Sequence, residues 1–292
     1  SRGQLRELGL DRFDVRTEVR AGRWFKPSPG TVAVFTGELT QRQGWWVALL
    51  ETGCSNAALD AVTALHAVGL TGYEARLTIS CPHGAQPRRI SGVSVQVTRW
   101  RLAGDHVRAG IPRVRPAAAA VHAALWTGTD RQAALILVMA VQQRLTTAQR
   151  LTRELARIQR HPRRRLLSNL IADIADGAHA LGELDFGVLC RRYGLPKPSR
   201  QVVRRGPRGR VYLDVYFDDY ALVIEIDGIH HLLGLNGVED ALRQNNLTLD
   251  ADTVLRVPLL GLRVQVAEFM AQIRRALIER GWPGSELMAG TG

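Results

Sequence analysis

The stretch VYLDVYFDDYALVIEIDGIHH, from Val211 to His231, limits what this chain can become more than any other. Val211, Leu213, Val215 and Phe217 alternate with Tyr212, Asp214, Tyr216 and Asp218. Leu222, Ile224 and Ile226 alternate with Ala221, Val223, Glu225 and Asp227, so both runs have the period of strands. Asp218-Asp219 reads as the turn of a hairpin between them. Side chains alternate faces along a strand, so an even-length loop opposes an even-numbered residue to an odd-numbered one. Asp214 and Glu225 then share one face, with Asp227 beside them. Opposed and diagonal positions lie about 5–8 Å apart at Cβ. Carboxylates that close either share a divalent cation, with ligand oxygens at about 2.0–2.1 Å for magnesium, or form ion pairs with arginines of the chain. The apolar segment 221–226 is a costly place to leave them unpaired.

The elements around the hairpin are regular. A helix is expected at Leu181–Tyr193, ended by Gly194 and Pro196, and a strand at Gln201–Arg205. After the hairpin come a helix at Val238–Asp250, a strand at Val254–Val257, and a helix at Val264–Arg280 with Val266, Phe269, Ile273 and Leu277 on one stripe. The order is α-β-β-β-α-β-α. Over about residues 165–282 this resembles the PD-(D/E)XK, restriction-endonuclease-like superfamily, and more closely its branch of small uncharacterised nucleases similar to very-short-patch-repair endonucleases. The resemblance implies that Glu183, in Gly182-Glu183-Leu184, is the helical glutamate and Asp214 the metal-bridging aspartate. It makes Glu225-Ile226-Asp227-Gly228 the E-x-(K/D)-G element, His230 and His231 the adjoining histidine pair, and Arg243 the arginine facing the site. It further implies that Asp214, Glu225 and Asp227 hold Mg2+ or Mn2+ for phosphodiester hydrolysis. Most of the superfamily has Lys where Asp227 stands. The usual residue for positioning the attacking water is therefore absent, and histidine or arginine must substitute or activity is lost; His230 or His231 could shuttle the proton, because imidazole titrates near neutrality. The other reading makes the two histidines supporting or surface residues, and Arg243 either a phosphate clamp or a solvated helix charge.

A chain of 292 residues has room for two or three modest domains. Its composition, 46% apolar and 23% charged, is that of a globular protein rather than a disordered one. The longest apolar run, Ala133–Val141, is far short of the roughly 20 residues of a bilayer span, and no signal peptide is read at the start. Cys54, Cys81 and Cys190 stand apart in the sequence, which suggests neither a disulfide framework nor a CxxC metal site, and a reducing cytoplasm fits. The net charge of +12 points to a polyanionic partner. All the cationic residues except Lys26 and Lys197 are Arg, the bias of a GC-rich coding sequence, so clustering says more than abundance.

Such a cluster opens the chain. Ser1-Arg-Gly-Gln4 fits a capping box, Leu5 and Leu8 fit the buried side of a short helix, Gly9 turns, and Asp11 caps a second helix running to Ala21. That helix presents Arg12, Arg16 and Arg20 on one face, with Phe13 and Val19 available for packing. Arg23-Trp24-Phe25-Lys26 and the run 31–35 flank Pro-Ser-Pro-Gly as a basic hairpin or wing. Arg12, Arg16, Arg20, Arg23 and Lys26 are therefore expected to bind DNA phosphates or guanine edges; the alternative is a solvated basic helix. The patterns S-R-G-Q-L-x-x-L-G, R-A-G-R-W and P-G-T resemble the winged-helix domain of AbiEi-type antitoxins from type IV toxin–antitoxin systems, a resemblance that continues more loosely to about Arg160. It implies DNA binding and a cognate toxin protein as partner. In this middle part a helix is expected at Ala57–Ala67, strands at Ala75–Cys81 and Val93–Trp100, and helices at Ala117–Trp126 and Gln132–Arg157. Asp60, His66, His83, Asp105, His106 and His122 lack ligand-like spacing and are read as structural.

The expected fold class is α/β (α+β): a winged helix-turn-helix over residues 1–40, a mixed middle region over 41–160, a linker at 161–168 and a restriction-endonuclease-like α-β-β-β-α-β core over 169–284. A disordered tail is expected at 285–292. The basic run His161-Pro-Arg-Arg-Arg165 is either that linker or a phosphate contact. Two functions fit: a cytoplasmic, DNA-binding endonuclease needing magnesium or manganese, and a non-enzymatic DNA-binding regulator or antitoxin on the same scaffold.

Overall fold

The computed structural model describes residues 1–175, 186–205, 211–227 and 254–284, together with Val238, Ala241, Leu242 and Asn245. The class is α/β: helices accompany a two-stranded, a five-stranded and a four-stranded sheet. The chain divides into two compact units, Ser1–Ala123 with Gln143–Thr146, and Ala124–Gln142 with Thr147–Gly292. Among the described residues no helix is long and apolar enough to cross a membrane.

The first unit opens with helices α1 (Arg2–Glu7) and α2 (Arg12–Arg20). Both start from reciprocal capping boxes, Ser1 with Gln4 and Asp11 with Asp14, which satisfy the otherwise unpaired N–H groups of the first turns. Strands β1 (Phe25–Ser28) and β2 (Thr31–Ala33) follow as the antiparallel wing. Glu51, the last residue of α3 (Gln41–Glu51), is buried beneath the turn of that wing. Its Oε1 accepts the Gly30 N–H at 2.9 Å and the Thr31 hydroxyl at 2.5 Å. Gly30 suits this contact: a Cβ would stand 3.0 Å from the same oxygen, so a larger residue would have to shift the carboxylate by a few tenths of an ångström. Two expectations fail at this end. Leu8 is 76% exposed and Phe13 56% exposed, and the buried residue of α2 is Val15.

Strands β3 (Ala58–Leu59), β4 (Thr78–Pro82), β5 (Ser94–Thr98), β6 (His106–Val107) and β7 (Arg113–Val114) form a mixed sheet in the order β5-β4-β3-β7-β6. The helix expected from Ala57 begins only at Ala61, after the strand β3. Asp60 ends the strand and caps the helix Ala61–His66, its Oδ1 accepting the Ala61 N–H at 2.6 Å. The same carboxylate meets His122 Nδ1 at 3.0 Å, and both side chains are buried. Two residues remote in sequence thus anchor one helix to the next, Pro116–Trp126.

In the second unit the stretch expected as one helix at Gln132–Arg157 is two, Asp130–Gln142 and Ala148–Ala156. Arg144 takes φ +59 in the break, and the Thr147 hydroxyl caps the second helix through the Arg150 N–H at 3.3 Å. Arg163 pairs with Asp130 at 2.8 Å and donates to the carbonyls of Ala124, Leu125, Thr127 and Gly128, closing the C-terminal end of the preceding helix. On helix Arg164–Ala175, the buried Asp173 holds Arg263 through two bonds of 2.8 and 3.1 Å.

Strands β8 (Arg200–Arg205), β9 (Val211–Phe217), β10 (Leu222–Asp227) and β11 (Val254–Pro258) form the second large sheet, ordered β11-β10-β9-β8. The first three are antiparallel, and β11 runs parallel to β10. One face is core: Leu213, Val215, Phe217, Leu222, Ile224, Ile226, Leu255 and Val257 are buried. Helix Leu259–Val264 packs on β11 and against helix Val266–Glu279, whose buried stripe is Phe269, Met270, Ile273, Ala276 and Leu277. At the outer edge of β11 the Asn245 side chain stands in for a further strand. Its Nδ2 donates to the Arg256 carbonyl at 2.8 Å and its Oδ1 accepts the Arg256 N–H at 3.1 Å.

Gly261 is the tightest point of this core: a Cβ there would meet the Phe269 ring at 2.3 Å. Gly261→Ala should therefore destabilise the protein by about 1–3 kcal/mol through overpacking, read as a lower urea midpoint, whereas Gly44→Ala, in the open, should not. Equal midpoints for the two variants would contradict this packing.

Candidate functional site

Two places in the described residues gather the side chains that the sequence singles out. The first is a cleft of about 610 Å³ between α1, α2 and the wing, lined by Arg2, Leu5, Arg6, Leu10, Asp11, Arg12, Phe13, Val15, Arg16 and Lys26. Five of these are cations and one is an acid. The acid is occupied: N–H groups of Asp14 and Phe13 hold the Asp11 carboxyl below its ordinary value. Apolar Leu5, Leu10, Phe13 and Val15 stand among these cations, with the Arg12 guanidinium over the Phe13 ring at 4.8 Å. Of the expected DNA-binding residues, Arg12, Arg16 and Lys26 line the cleft. Arg20 is exposed outside its lining. Arg23 is committed to Glu18 through two bonds of 2.7 Å. Arg2 and Arg6 are lining residues that sequence reasoning missed. The signal was present, since they stand four apart on α1 as Arg12 and Arg16 do on α2.

The second place is the open face of the four-stranded sheet. The register opposes Glu225 to Asp214 and Asp227 to Tyr212, which puts all three acids on one face, as strand parity requires. Asp214 is 4% exposed, and Glu225 and Asp227 are half-buried. The neighbouring strands add Arg204, one pair further along β8, and Arg256, directly opposite Glu225 on β11. Arg204 Nε lies 2.7 Å from Asp214 Oδ2, and its Nη2 lies 3.3 Å from Asp214 Oδ1 and 3.4 Å from Glu225 Oε1. Arg256 Nε is 3.5 Å from Glu225 Oε2. The hydrogen bond to Asp214, followed by that carboxylate's charge, raises the Arg204 pKa above its ordinary value. Tyr212 carries the Arg204 guanidinium at 5.3 Å from its ring, and Tyr216 carries Arg200 at 3.9 Å.

Asp214 and Glu225 are thus ion-paired with arginines in this structure, one of the two arrangements that the sequence left open. Among the described residues no group of three His, Cys, Asp or Glu side chains is close enough to hold a metal ion. Glu183, His230, His231 and Arg243 lie outside the described residues. Arg204 and Arg256 are the residues that sequence reasoning missed here. Arg200 and Arg204 share the parity of a single strand face, but nothing in the hairpin itself reveals which strands flank it.

No protein-family model matches the chain, and neither does any curated protein or solved structure. What the two places can do follows from their geometry alone.

Five cations among apolar side chains suit a phosphate backbone carrying bases. Binding of a DNA duplex or single strand is expected to weaken with salt, and Arg6→Ala/Arg12→Ala/Arg16→Ala to flatten the log–log slope by about 0.9 for each duplex phosphate that is no longer neutralised. Fluorescence anisotropy across a salt series measures this. An unchanged slope would make the cleft ordinary solvated surface.

Proposed function

We propose that this chain is a DNA-binding protein whose C-terminal sheet carries a phosphodiesterase site of the metal-dependent endonuclease kind. The observation that supports it most is the convergence of Asp214 and Glu225 on one positively charged atom. Oxygens of both carboxylates lie within 3.4 Å of Arg204 Nη2, so a single cationic centre serves both. Two carboxylates, with water completing the shell, are what Mg2+ or Mn2+ commonly takes from a protein. The donor set therefore fits such an ion, with Asp214 and Glu225 as its holders and Asp227 next on the same face. When bound, the ion would supply charge neutralisation at the phosphate and a more acidic water.

The chain's own residues supply the rest. Arg256, largely exposed beside Glu225, and Arg204 offer guanidinium N–H groups to a phosphodiester oxygen, the fork geometry that suits phosphate. Arg200 on Tyr216 extends the cationic face along β8. The resemblance in sequence adds Glu183 to complete or orient the site, His230 or His231 to move the proton in the absence of the usual Lys, and Arg243 to face the phosphate. In the cleft of the first unit, Arg2, Arg6, Arg12, Arg16 and Lys26 bind the nucleic-acid backbone. A cytoplasmic setting belongs to the same reading.

One observation favours a second reading. Arg204 and Arg256 already neutralise Asp214 and Glu225, which is how a sheet face with a purely structural or binding role would manage one buried and one half-buried acid. On that reading the chain is a non-enzymatic DNA-binding regulator or antitoxin with a cognate toxin as its protein partner.

Asp214→Asn and Glu225→Gln should each abolish cleavage of plasmid DNA with magnesium or manganese, by 100-fold or more on the order of a lost metal ligand's effect, while DNA affinity stays intact. EDTA should do the same to the unaltered protein. Salt-sensitive binding without cleavage under any metal and pH would replace the enzyme by the regulator.

A further inference from the structure

The five-stranded sheet holds a chemistry that neither reading uses. Strand β4 buries Cys81 completely, and β3 pairs with it so that Ala58 opposes Ser80 and Leu59 opposes Ile79. Continued by one step, that register brings Ala57 to Cys81. Before Ala57 the chain turns tightly, with the Ala57 N–H on the Cys54 carbonyl at 3.1 Å, and so folds Cys54 back over the same point. The two cysteines, far apart in sequence, are thereby brought to one point of the sheet, near enough for each thiol to act on the other. Cys81 is buried and Cys54 half-buried.

A buried guanidinium stands beside them. Arg101, 8% exposed, donates to the Ser80 carbonyl at 2.6 Å, to the Ser80 hydroxyl at 3.2 Å and to the Asn56 carbonyl. The nearby acids have partners of their own: Asp60 meets His122 at 3.0 Å and Asp105 meets Arg115 at 2.7 Å. Arg101 acts electrostatically on both cysteines. Burial is the larger influence on Cys81 and pushes its thiol up to about 12, against the pull of Arg101. Cys54 is the more exposed sulfur, so it is the one that a small oxidant in solution reaches.

We propose that Cys54 and Cys81 are a redox-active dithiol, oxidised by a hydroperoxide to an intramolecular disulfide. The Cys54 thiolate attacks a peroxide oxygen; the O–O bond breaks, hydroxide leaves, and Cys54 becomes a sulfenic acid. The Cys81 sulfur then attacks Cys54 Sγ. The S–S bond forms, the S–O bond breaks, and the departing hydroxide takes the Cys81 proton as water. Two thiols lose two electrons and one hydrogen peroxide becomes two waters. The disulfide would tie the turn after α3 to β4, the second strand of the sheet. Cys54 N–H rests on the Thr52 hydroxyl at 3.1 Å, and Glu51, next to Thr52, grips the wing turn. The state of the dithiol therefore bears on how firmly the wing is held.

The test treats the full chain with a small excess of hydrogen peroxide, alkylates it under denaturing conditions, and reads intact mass and mapped peptides. The expected result is a loss of about 2 Da, a linked Cys54–Cys81 peptide, one alkylated thiol at Cys190, and full reversal by dithiothreitol. Cys81→Ser should stop at a sulfenic acid on Cys54 that dimedone traps, and Cys54→Ser should leave Cys81 reduced. Three alkylated cysteines after oxidation, or a sulfinic acid on Cys54 with no linked peptide, would overturn the proposal.

Discussion

The guanidinium of Arg204 between Asp214 and Glu225 is the contact on which the C-terminal sheet depends. A hairpin that opposes two carboxylates on one face needs positive charge there, because like charges directly opposed destabilise a strand pair. Strand β8 supplies it from one side through Arg204, and β11 supplies it from the other through Arg256. Both donors depend on long-range construction. Arg256 is placed because Asn245 satisfies both backbone groups of that residue at the sheet's edge. The strand that carries it leads into a helix seated closely enough on Phe269 to require Gly261.

The first unit solves a comparable problem with the opposite charge. Its wing turn leaves backbone and hydroxyl donors over the end of α3, and the buried Glu51 carboxylate accepts both. In each unit one buried polar side chain fixes a backbone segment. The charges that face outward are then presented from a rigid base: the basic cleft beside the wing, the Arg and Tyr residues on the open sheet. Such an arrangement would suit the proposed grip on a nucleic-acid backbone, where phosphate contacts fix register and orientation.

Much of this is legible in the sequence wherever the determinant is local. Strand parity places Asp214, Glu225 and Asp227 on one face for any turn of even length, and the register agrees. The capping boxes of α1 and α2 are written within four residues each. What local pattern cannot carry is the identity of neighbours. Arg204 and Arg256 became partners of the hairpin only through sheet order, and Cys54 met Cys81 only through the register of β3 with β4. Ala58-Leu59 went to a strand because a short apolar run suits either state and tertiary pairing decides between them. Leu8 and Phe13 were expected to be covered because helices usually bury such residues, and both are exposed. The break at Arg144 uses a left-handed residue that no glycine announces.

On the proposed reading the Asp214–Glu225 face is a cation site whose positive charge Arg204 supplies here. The most direct measurement is thermal unfolding of Arg204→Gln across a manganese titration, beside the unaltered protein and Arg204→Gln/Asp214→Asn. With Arg204 removed, the two carboxylates should repel without metal and recover with it. The Tm of Arg204→Gln should start low and rise progressively with manganese, as ligand linkage to the native state requires, and the double variant should not respond. A Tm of Arg204→Gln that manganese does not move, or that rises equally in the double variant, would contradict the account.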